Sequence, residues 1–299
     1  AYRQPGPGGL PLALRLSEGL GVTACDDEEV SSTAYQPHDP LEGVGPDGVI
    51  VTGARRSAVQ PEFLPVLTQA IERLNSADHG VSVYVYGSVA TGMARIGSSD
   101  VDLVTIGADA AQARQLASDL SAAHRGLCRG VEIGPARFSD YEGGSDEAYG
   151  NCVFLKHYCV HLSGPDPART LPSYQANRAA ARGFNGDIGF RAAQWRTVLK
   201  DVPPPSLARR VARKTLFAVS GLVSVYDARW TTDRVESAQR WSAIRSDMAD
   251  ELGTLVSWAF SSHVRVTTSE IQDVLDGAVV ELVAEFNRRI GLWGVPCDA

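Results

Sequence analysis

The sequence has few cysteines, and their spacing excludes two classes of protein. The chain has 299 residues and five cysteines, an odd number scattered along its length: Cys25, Cys128, Cys152, Cys159 and Cys297. They do not form the paired spacing of a zinc site or the dense framework of a small disulfide-bonded domain. We therefore expect a reduced, intracellular protein that folds around an apolar core.

Long hydrophobic runs are also missing from the sequence. No apolar stretch approaches the roughly 20 residues that an α-helix needs to cross a bilayer. The first residues do not show a basic segment followed by an apolar one, which is the pattern of a secretory signal. The sequence thus predicts a cytoplasmic protein with no membrane partner.

The sequence also has no excess of positive charge. The chain has 28 Lys and Arg against 35 Asp and Glu, which gives a net charge of −7 and a pI near 5.4. A protein that follows a nucleic-acid template needs a basic groove to neutralise the phosphates. The charge balance argues against a long nucleic acid as partner and is compatible with a cationic small molecule.

Two carboxylates stand at the start of a predicted strand. Asp100 and Asp102 flank Val101 and lead into the apolar residues 103–106. Side chains alternate along a strand with a period of two, so both carboxylates face one side while Val101 faces the core. Two carboxylates on one face repel each other unless a cation lies between them, and oxygen ligands suit Mg²⁺ that carries phosphates. The alternative interpretation is a pair of surface aspartates after an ordinary turn.

A Gly-Ser pair precedes these aspartates at the end of another hydrophobic run. Gly87 allows the backbone to approach a polyanion closely, and Ser88 adds a hydroxyl donor to the amides of the turn. Together with Asp100 and Asp102, this pattern resembles the DNA-polymerase-beta-like nucleotidyltransferase superfamily. Its signature is a Gly-Ser turn followed by Asp-x-Asp on the next strand. The resemblance implies that Asp100 and Asp102 bind Mg²⁺ and that Gly87 and Ser88 contact the phosphates of ATP or another nucleoside triphosphate.

The superfamily has a third carboxylate on a strand that follows a helix. Glu132 lies at that place, between two β-branched residues and therefore on the face opposite theirs. The resemblance implies that Glu132 either completes the metal site or acts as the base that deprotonates the acceptor hydroxyl. Asp140 and Glu142 in the following Gly-rich loop are rival candidates, and an exposed strand glutamate is the alternative without a function.

Segments after the core motif look like parts of aminoglycoside adenylyltransferases of the streptomycin and spectinomycin type. Residues 156–166 resemble the end of their catalytic domain, and residues 213–217 and 231–241 are similar to their helical domain. That branch holds the drug with a Trp and two acidic residues. In this chain, only Trp195 and Asp201 could correspond to them. The phosphate-contacting Lys of the branch falls near Asp233 and Arg234, where the chain has no lysine.

This second resemblance implies transfer of AMP from ATP to a hydroxyl of a small molecule, in antibiotic resistance or natural-product biosynthesis. The shared core motif is equally compatible with a synthase of cyclic or oligonucleotide products, a protein or tRNA nucleotidyltransferase, or a catalytically silent nucleotide-binding regulator. Four basic residues are candidate triphosphate contacts, or alternatively solvated surface groups: Arg95, Arg213, Lys214 and Arg234.

The predicted fold is α/β, with a small mixed sheet of four or five strands followed by a bundle of helices. We predict a Gly/Pro-rich N-terminal extension over 1–55, a catalytic domain over 56–167 and a helical acceptor-binding domain over 168–299. Strands are predicted at 81–86, 100–106 and 130–133 from apolar runs between turn signals. Helices are predicted over 174–200, 206–226, 233–261 and 268–290, with Ser206 as an N-cap.

Overall fold

The structure, a computed structural model, describes residues 39–77, 80–261 and 263–295. Most of the predicted N-terminal extension, residues 1–38, lies outside the described residues. The described chain folds as two compact units, residues 39–175 and residues 176–295. The first unit contains the strands, and the second is helical. The α/β class with a small mixed sheet followed by helices is therefore confirmed.

A four-stranded sheet forms the centre of the first unit. Its strands are β3 (Ser82–Tyr86), β4 (Val101–Ile106), β5 (Val131–Ala136) and β6 (Val160–Ser163), in the order β5-β4-β3-β6. Strand β3 is antiparallel to β4 and to β6, whereas β4 and β5 are parallel. A two-stranded ladder of β1 (Gly43–Val44) and β2 (Ile50–Val51) precedes this sheet.

Residues 39–175 contain four α-helices: α1 (Leu64–Ala77), α2 (Gly87–Thr91), α3 (Ala110–Ala123) and α4 (Asp146–Tyr158). Helix α3 begins where Asp109 accepts hydrogen bonds from two backbone amides, and it makes the crossover that the parallel pair β4–β5 requires. Helices α1 and α3 pack on one face of the sheet, against buried side chains such as Val83, Val85 and Leu103. The alternate positions of the same strands therefore lie on the other face.

The described part of the second unit contains seven α-helices: α5 (Arg178–Asn185), α6 (Ile188–Thr197), α7 (Pro204–Tyr226), α8 (Arg234–Ile244), α9 (Ala249–Phe260), α10 (Thr268–Asp276) and α11 (Ala278–Arg289). The long helix α7 is central and packs against α5, α8, α9 and α11. Most of its side chains from Leu207 to Ser224 are buried.

Three of the predicted helices are wrong in length, because each is interrupted. The segment 174–200 breaks after Asn185, 233–261 breaks after Ile244, and 268–290 breaks at Gly277. The prediction of Ser206 as an N-cap is also wrong, because α7 already begins at Pro204. Proline suits the first turn of a helix, where its missing N–H has no intrahelical partner to lose.

Two further observations concern the cysteines and the long apolar segments that the sequence does not have. Cys128, Cys152 and Cys159 are free thiols. Within residues 39–77, 80–261 and 263–295, no helix combines the length and the apolar composition needed to span a bilayer.

Candidate active site

The turn between β3 and α2 brings the Gly-Ser pair against Asp102, the second aspartate of the Asp-x-Asp motif. Gly87 has a φ of +68°, in the left-handed region that L side chains rarely adopt. A Cβ built on Gly87 would lie 2.8 Å from Oδ2 of Asp102. The backbone therefore needs glycine here for its conformation and for its close approach to a carboxylate. Ser88 follows as a half-buried residue of α2.

Asp102 and Glu132 are direct neighbours across the parallel strands β4 and β5. They occupy paired positions in the register, and Tyr86 is the partner of Asp102 on β3. The residues on either side of Asp102, Val101 and Leu103, are fully buried in the core. Alternation thus places Asp102 and Glu132 together on the opposite face of the sheet, where both residues are half-buried.

Asp100 lies just before β4 and has a basic partner that sequence reasoning missed. Nε of Arg129 donates a hydrogen bond of 3.1 Å to Oδ1 of Asp100, and Nη2 forms an ion pair with Oδ2. The backbone holds these two residues side by side, because the Arg129 amide donates to the Ser99 carbonyl at 3.0 Å. The only signal in the sequence is the place of Arg129, three residues before Glu132.

The electrostatics of the cluster centre on Asp102. Burial, together with the charges of Glu132 and Asp100, raises the pKa of its carboxyl to about 8, and Arg129 partly opposes this rise. The hydrogen bond to Asp100 in turn raises the pKa of the Arg129 guanidinium. Since like charges this close cannot all remain ionised at low cost, the site favours either a proton or a cation.

The donor set fits a hard divalent cation. Asp100, Asp102 and Glu132 offer carboxylate oxygens, which Mg²⁺ prefers, and the repulsion that raises the pKa of Asp102 is what a cation would relieve. In the part of the chain that the structure describes, no group of three or more His, Cys, Asp or Glu side chains is arranged to hold a metal ion. Both oxygens of Asp100 are engaged by Arg129.

Comparison with known families bears on the same part of the chain. Residues 67–134 match the model of the nucleotidyltransferase domain. The match runs from α1 into β5 and so includes Gly87, Ser88 and the three carboxylates. The chain contains a nucleotidyltransferase domain. No curated protein matches the sequence.

Of the three candidates for the third carboxylate, Glu132 has the position on the sheet that the resemblance implies. Asp140 lies in a turn after β5, and its Oδ2 accepts a hydrogen bond of 2.8 Å from the amide of Arg137. Glu142 follows that turn and is exposed. Glu132 alone of the three occupies the strand position paired with Asp102.

The predicted triphosphate contacts fall into two groups. Arg95 belongs to the nucleotidyltransferase domain, where it is exposed in the loop between α2 and β4. Arg213, Lys214 and Arg234 belong to the helical unit. Arg234 donates from Nε to the carbonyl of Arg213 at 3.0 Å, and Arg213 donates from Nε to the carbonyl of Ala259 at 3.4 Å. Direct contacts of Arg95, Arg213 and Arg234 with a triphosphate remain predictions.

Lys214 needs a correction, because its location indicates a structural role. The side chain is 2% exposed, and Nζ lies 2.7 Å from Oδ1 of Asp187, itself buried. Nζ also donates to the carbonyl of Phe184 at 3.2 Å. A lysine with these partners in the interior of the helical unit is not available to a triphosphate. Trp195, one of the possible aminoglycoside contacts, is likewise buried.

Proposed function

We propose that this nucleotidyltransferase moves a nucleoside monophosphate, AMP from ATP, onto a hydroxyl of a small molecule and releases pyrophosphate. The observation that carries the proposal is the pairing of Asp102 with Glu132 beside a glycine that has no room for a Cβ. Two adjacent carboxylates next to a turn of backbone amides suit a metal-bound polyphosphate. The acceptor class is an aminoglycoside or a natural-product intermediate, and the proposed location is the cytoplasm.

In the proposed reaction the acceptor oxygen attacks the α-phosphorus. A new oxygen–phosphorus bond forms while the bond from the α-phosphorus to the bridging oxygen breaks, and pyrophosphate leaves. Glu132 takes the proton of the acceptor hydroxyl, and Ser88 with the amides after Gly87 binds the β- and γ-phosphates. When bound, Mg²⁺ held by Asp100 and Asp102 supplies positive charge that offsets the phosphate charge. The protein contributes mainly positioning and charge neutralisation.

Net charge supports a small acceptor over a nucleic acid. At −7, the chain does not have the basic excess that neutralises a phosphate backbone. A cationic acceptor such as an aminoglycoside is instead attracted by an acidic protein. We propose that the helical unit, predicted over 168–299, supplies the acceptor contacts.

The test is a matrix of each nucleoside triphosphate with Mg²⁺ against a panel of aminoglycosides, other hydroxylated small molecules and nucleosides. Pyrophosphate release and product mass are measured for each combination, with Asp102→Asn as the inactive control. We expect pyrophosphate only with an acceptor, and a product heavier by one nucleoside monophosphate. Pyrophosphate without any added acceptor, with a cyclic or oligomeric product, would replace this proposal with the synthase alternative.

A further inference from the structure

Arg129 has no assigned role, yet its guanidinium contacts both carboxylate oxygens of Asp100. We propose that Arg129 is a positioning residue that holds Asp100 in the free protein and releases it when a metal–nucleotide complex binds. This inference rests on the proposed function, because it concerns the same site. Its consequence is that a divalent cation binds weakly alone and tightly only together with the triphosphate.

Arg129 and a metal ion would compete for Asp100. Both of its carboxylate oxygens are engaged, Oδ1 by Nε and Oδ2 by Nη2 of Arg129. A guanidinium that binds a carboxylate through two donors matches its geometry closely. It also carries a charge of the same sign as a metal ion, and it interacts with Asp102 and Glu132. A cation that approaches Asp100 therefore meets an arginine already in place.

The Arg129 side chain can leave Asp100 without disturbing the fold. Its side chain is 68% exposed, whereas that of Asp100 is 20% exposed. The backbone is fixed independently of the side chain, by the bond from the Arg129 amide to Ser99 and the bond of 2.9 Å from the Val101 amide to Gly130. Rotation of the guanidinium into solvent breaks only its contacts with the cluster.

The released guanidinium then pairs with the triphosphate. A triphosphate brings several anionic oxygens to the carboxylate cluster, and guanidinium binds phosphate with the same paired donors that it offers a carboxylate. The exchange keeps Arg129 paired with an anion in both states. A cation that binds alone brings no phosphate for Arg129. We therefore expect nucleotide and metal to bind together.

The experiment compares Arg129→Gln and Arg129→Lys with a matched control, Arg125→Gln. Arg125 lies in the same connection before β5, is exposed, and donates from Nε to the carbonyl of Ala122 rather than to a carboxylate. Mn²⁺ affinity is measured by electron paramagnetic resonance without nucleotide. Affinity for a non-hydrolysable ATP analogue is then measured at saturating Mg²⁺.

Removal of the guanidinium should tighten Mn²⁺ binding without nucleotide by about fivefold, the equivalent of roughly 1 kcal/mol for an exposed ion pair. The same Arg129→Gln variant should bind the ATP analogue more weakly than the wild type. Arg129→Lys, which keeps the charge, should lie between the two in both measurements, and Arg125→Gln should match the wild type.

Mn²⁺ binding that is unchanged or weaker in Arg129→Gln would overturn the inference, since Arg129 would then support Asp100 rather than compete for it. The two proposals fail separately. A wild type that forms product while Arg129→Gln leaves Mn²⁺ affinity unchanged defeats this inference alone. A wild type that binds neither Mn²⁺ nor nucleotide and forms no product defeats the proposed function as well.

Discussion

At Asp102, burial and two neighbouring carboxylates act on one side chain in the same direction. The pKa of this carboxyl rises from 3.8 to about 8 in the folded, metal-free protein. The folded state therefore holds a proton that the unfolded state has already lost. Since stability falls with rising pH wherever the folded state binds more protons, the contribution of Asp102 to the free energy of unfolding should decrease between about pH 4 and pH 8.

Asp102→Asn isolates this contribution, because the amide has a similar shape and does not ionise. In metal-free buffer, the melting temperature of the variant should match that of the wild type near pH 4. We expect it to exceed the wild-type value increasingly up to about pH 8 and by a constant amount above it. Thermal unfolding of both proteins across this range checks the prediction, and a difference that does not depend on pH would contradict it.

Glu132 is the residue whose role the geometry leaves as base or metal ligand. Glu132→Gln keeps the shape of the side chain but removes its charge and its capacity to take a proton. If Glu132 is the base, turnover should fall by about 10²–10⁴-fold while binding of the Mg²⁺–nucleotide complex survives. Pyrophosphate release and a nucleotide titration measure the two effects. A parallel loss of binding would identify a ligand, and unchanged turnover would shift the role to Asp140 or Glu142.

Gly87 and Gly97 form a natural pair for testing the close approach at the turn. Both have a positive φ, at +68° and +78°, but a Cβ at Gly87 meets Asp102 whereas a Cβ at Gly97 meets nothing within 4 Å. Gly87→Ala and Gly97→Ala should each lose about 1–2 kcal/mol of stability from backbone strain. Only Gly87→Ala should also lose nucleotide affinity and turnover. Chemical denaturation with steady-state kinetics separates the effects, and equal kinetic losses would refute the contact.

At the scale of elements, local pattern predicted the strands of the domain well. Strands β3, β4 and β5 are short apolar runs bounded by turn residues, and period-two alternation assigned Asp102 and Glu132 to the face away from the core. The same pattern does not predict the contact between Arg129 and Asp100. This contact depends on two loops that adjoin only because β4 and β5 pair in parallel, which is a long-range effect.

The positions where the helices break are also not predicted from the sequence, because helical periodicity continues through them. Gly186 ends α5 at a place where a Cβ would lie 2.2 Å from the ring of Trp293, more than a hundred residues further along the chain. Gly277 separates α10 from α11. A single glycine is tolerated in many helices, so the sequence does not show which one ends a helix.

Lys214 illustrates how an element can depend on a buried charge. Lys214 lies on α7, and its ammonium contacts the carboxylate of Asp187. Arg191 of α6 contacts the same carboxylate. Removal of one partner leaves a buried charge poorly compensated, so Lys214→Met should lower the free energy of unfolding by about 3 kcal/mol. Arg210→Met, at an exposed position of the same helix, should change it by about 0.5 kcal/mol or less.

The same variant tests the corrected role of Lys214. At a temperature where Lys214→Met is folded, its affinity for the Mg²⁺–nucleotide complex should equal that of the wild type, because the buried Nζ does not reach a ligand. Urea unfolding and nucleotide titration provide the two readings. A stable protein with weakened nucleotide binding would restore Lys214 as a triphosphate contact.

For the whole molecule, the family match supports nucleotidyl transfer, and transfer to a small acceptor is our proposal. The nucleotidyltransferase match and the paired carboxylates concern the donor, and the net charge of −7 concerns the acceptor. Kinases and nucleoside triphosphatases also hold Mg²⁺ and a triphosphate, but they act at the γ-phosphorus. The phosphorus atom that is attacked therefore distinguishes nucleotidyl transfer from these other reactions.

The most direct measurement follows labelled phosphorus from ATP into products, with the label at the α position in one reaction and at the γ position in another. Both reactions contain Mg²⁺ and an acceptor from the panel, and Asp102→Asn serves as the control. We expect the α label in the modified acceptor and the γ label in pyrophosphate, with neither transfer in the control. The γ label in the acceptor or in inorganic phosphate would contradict nucleotidyl transfer.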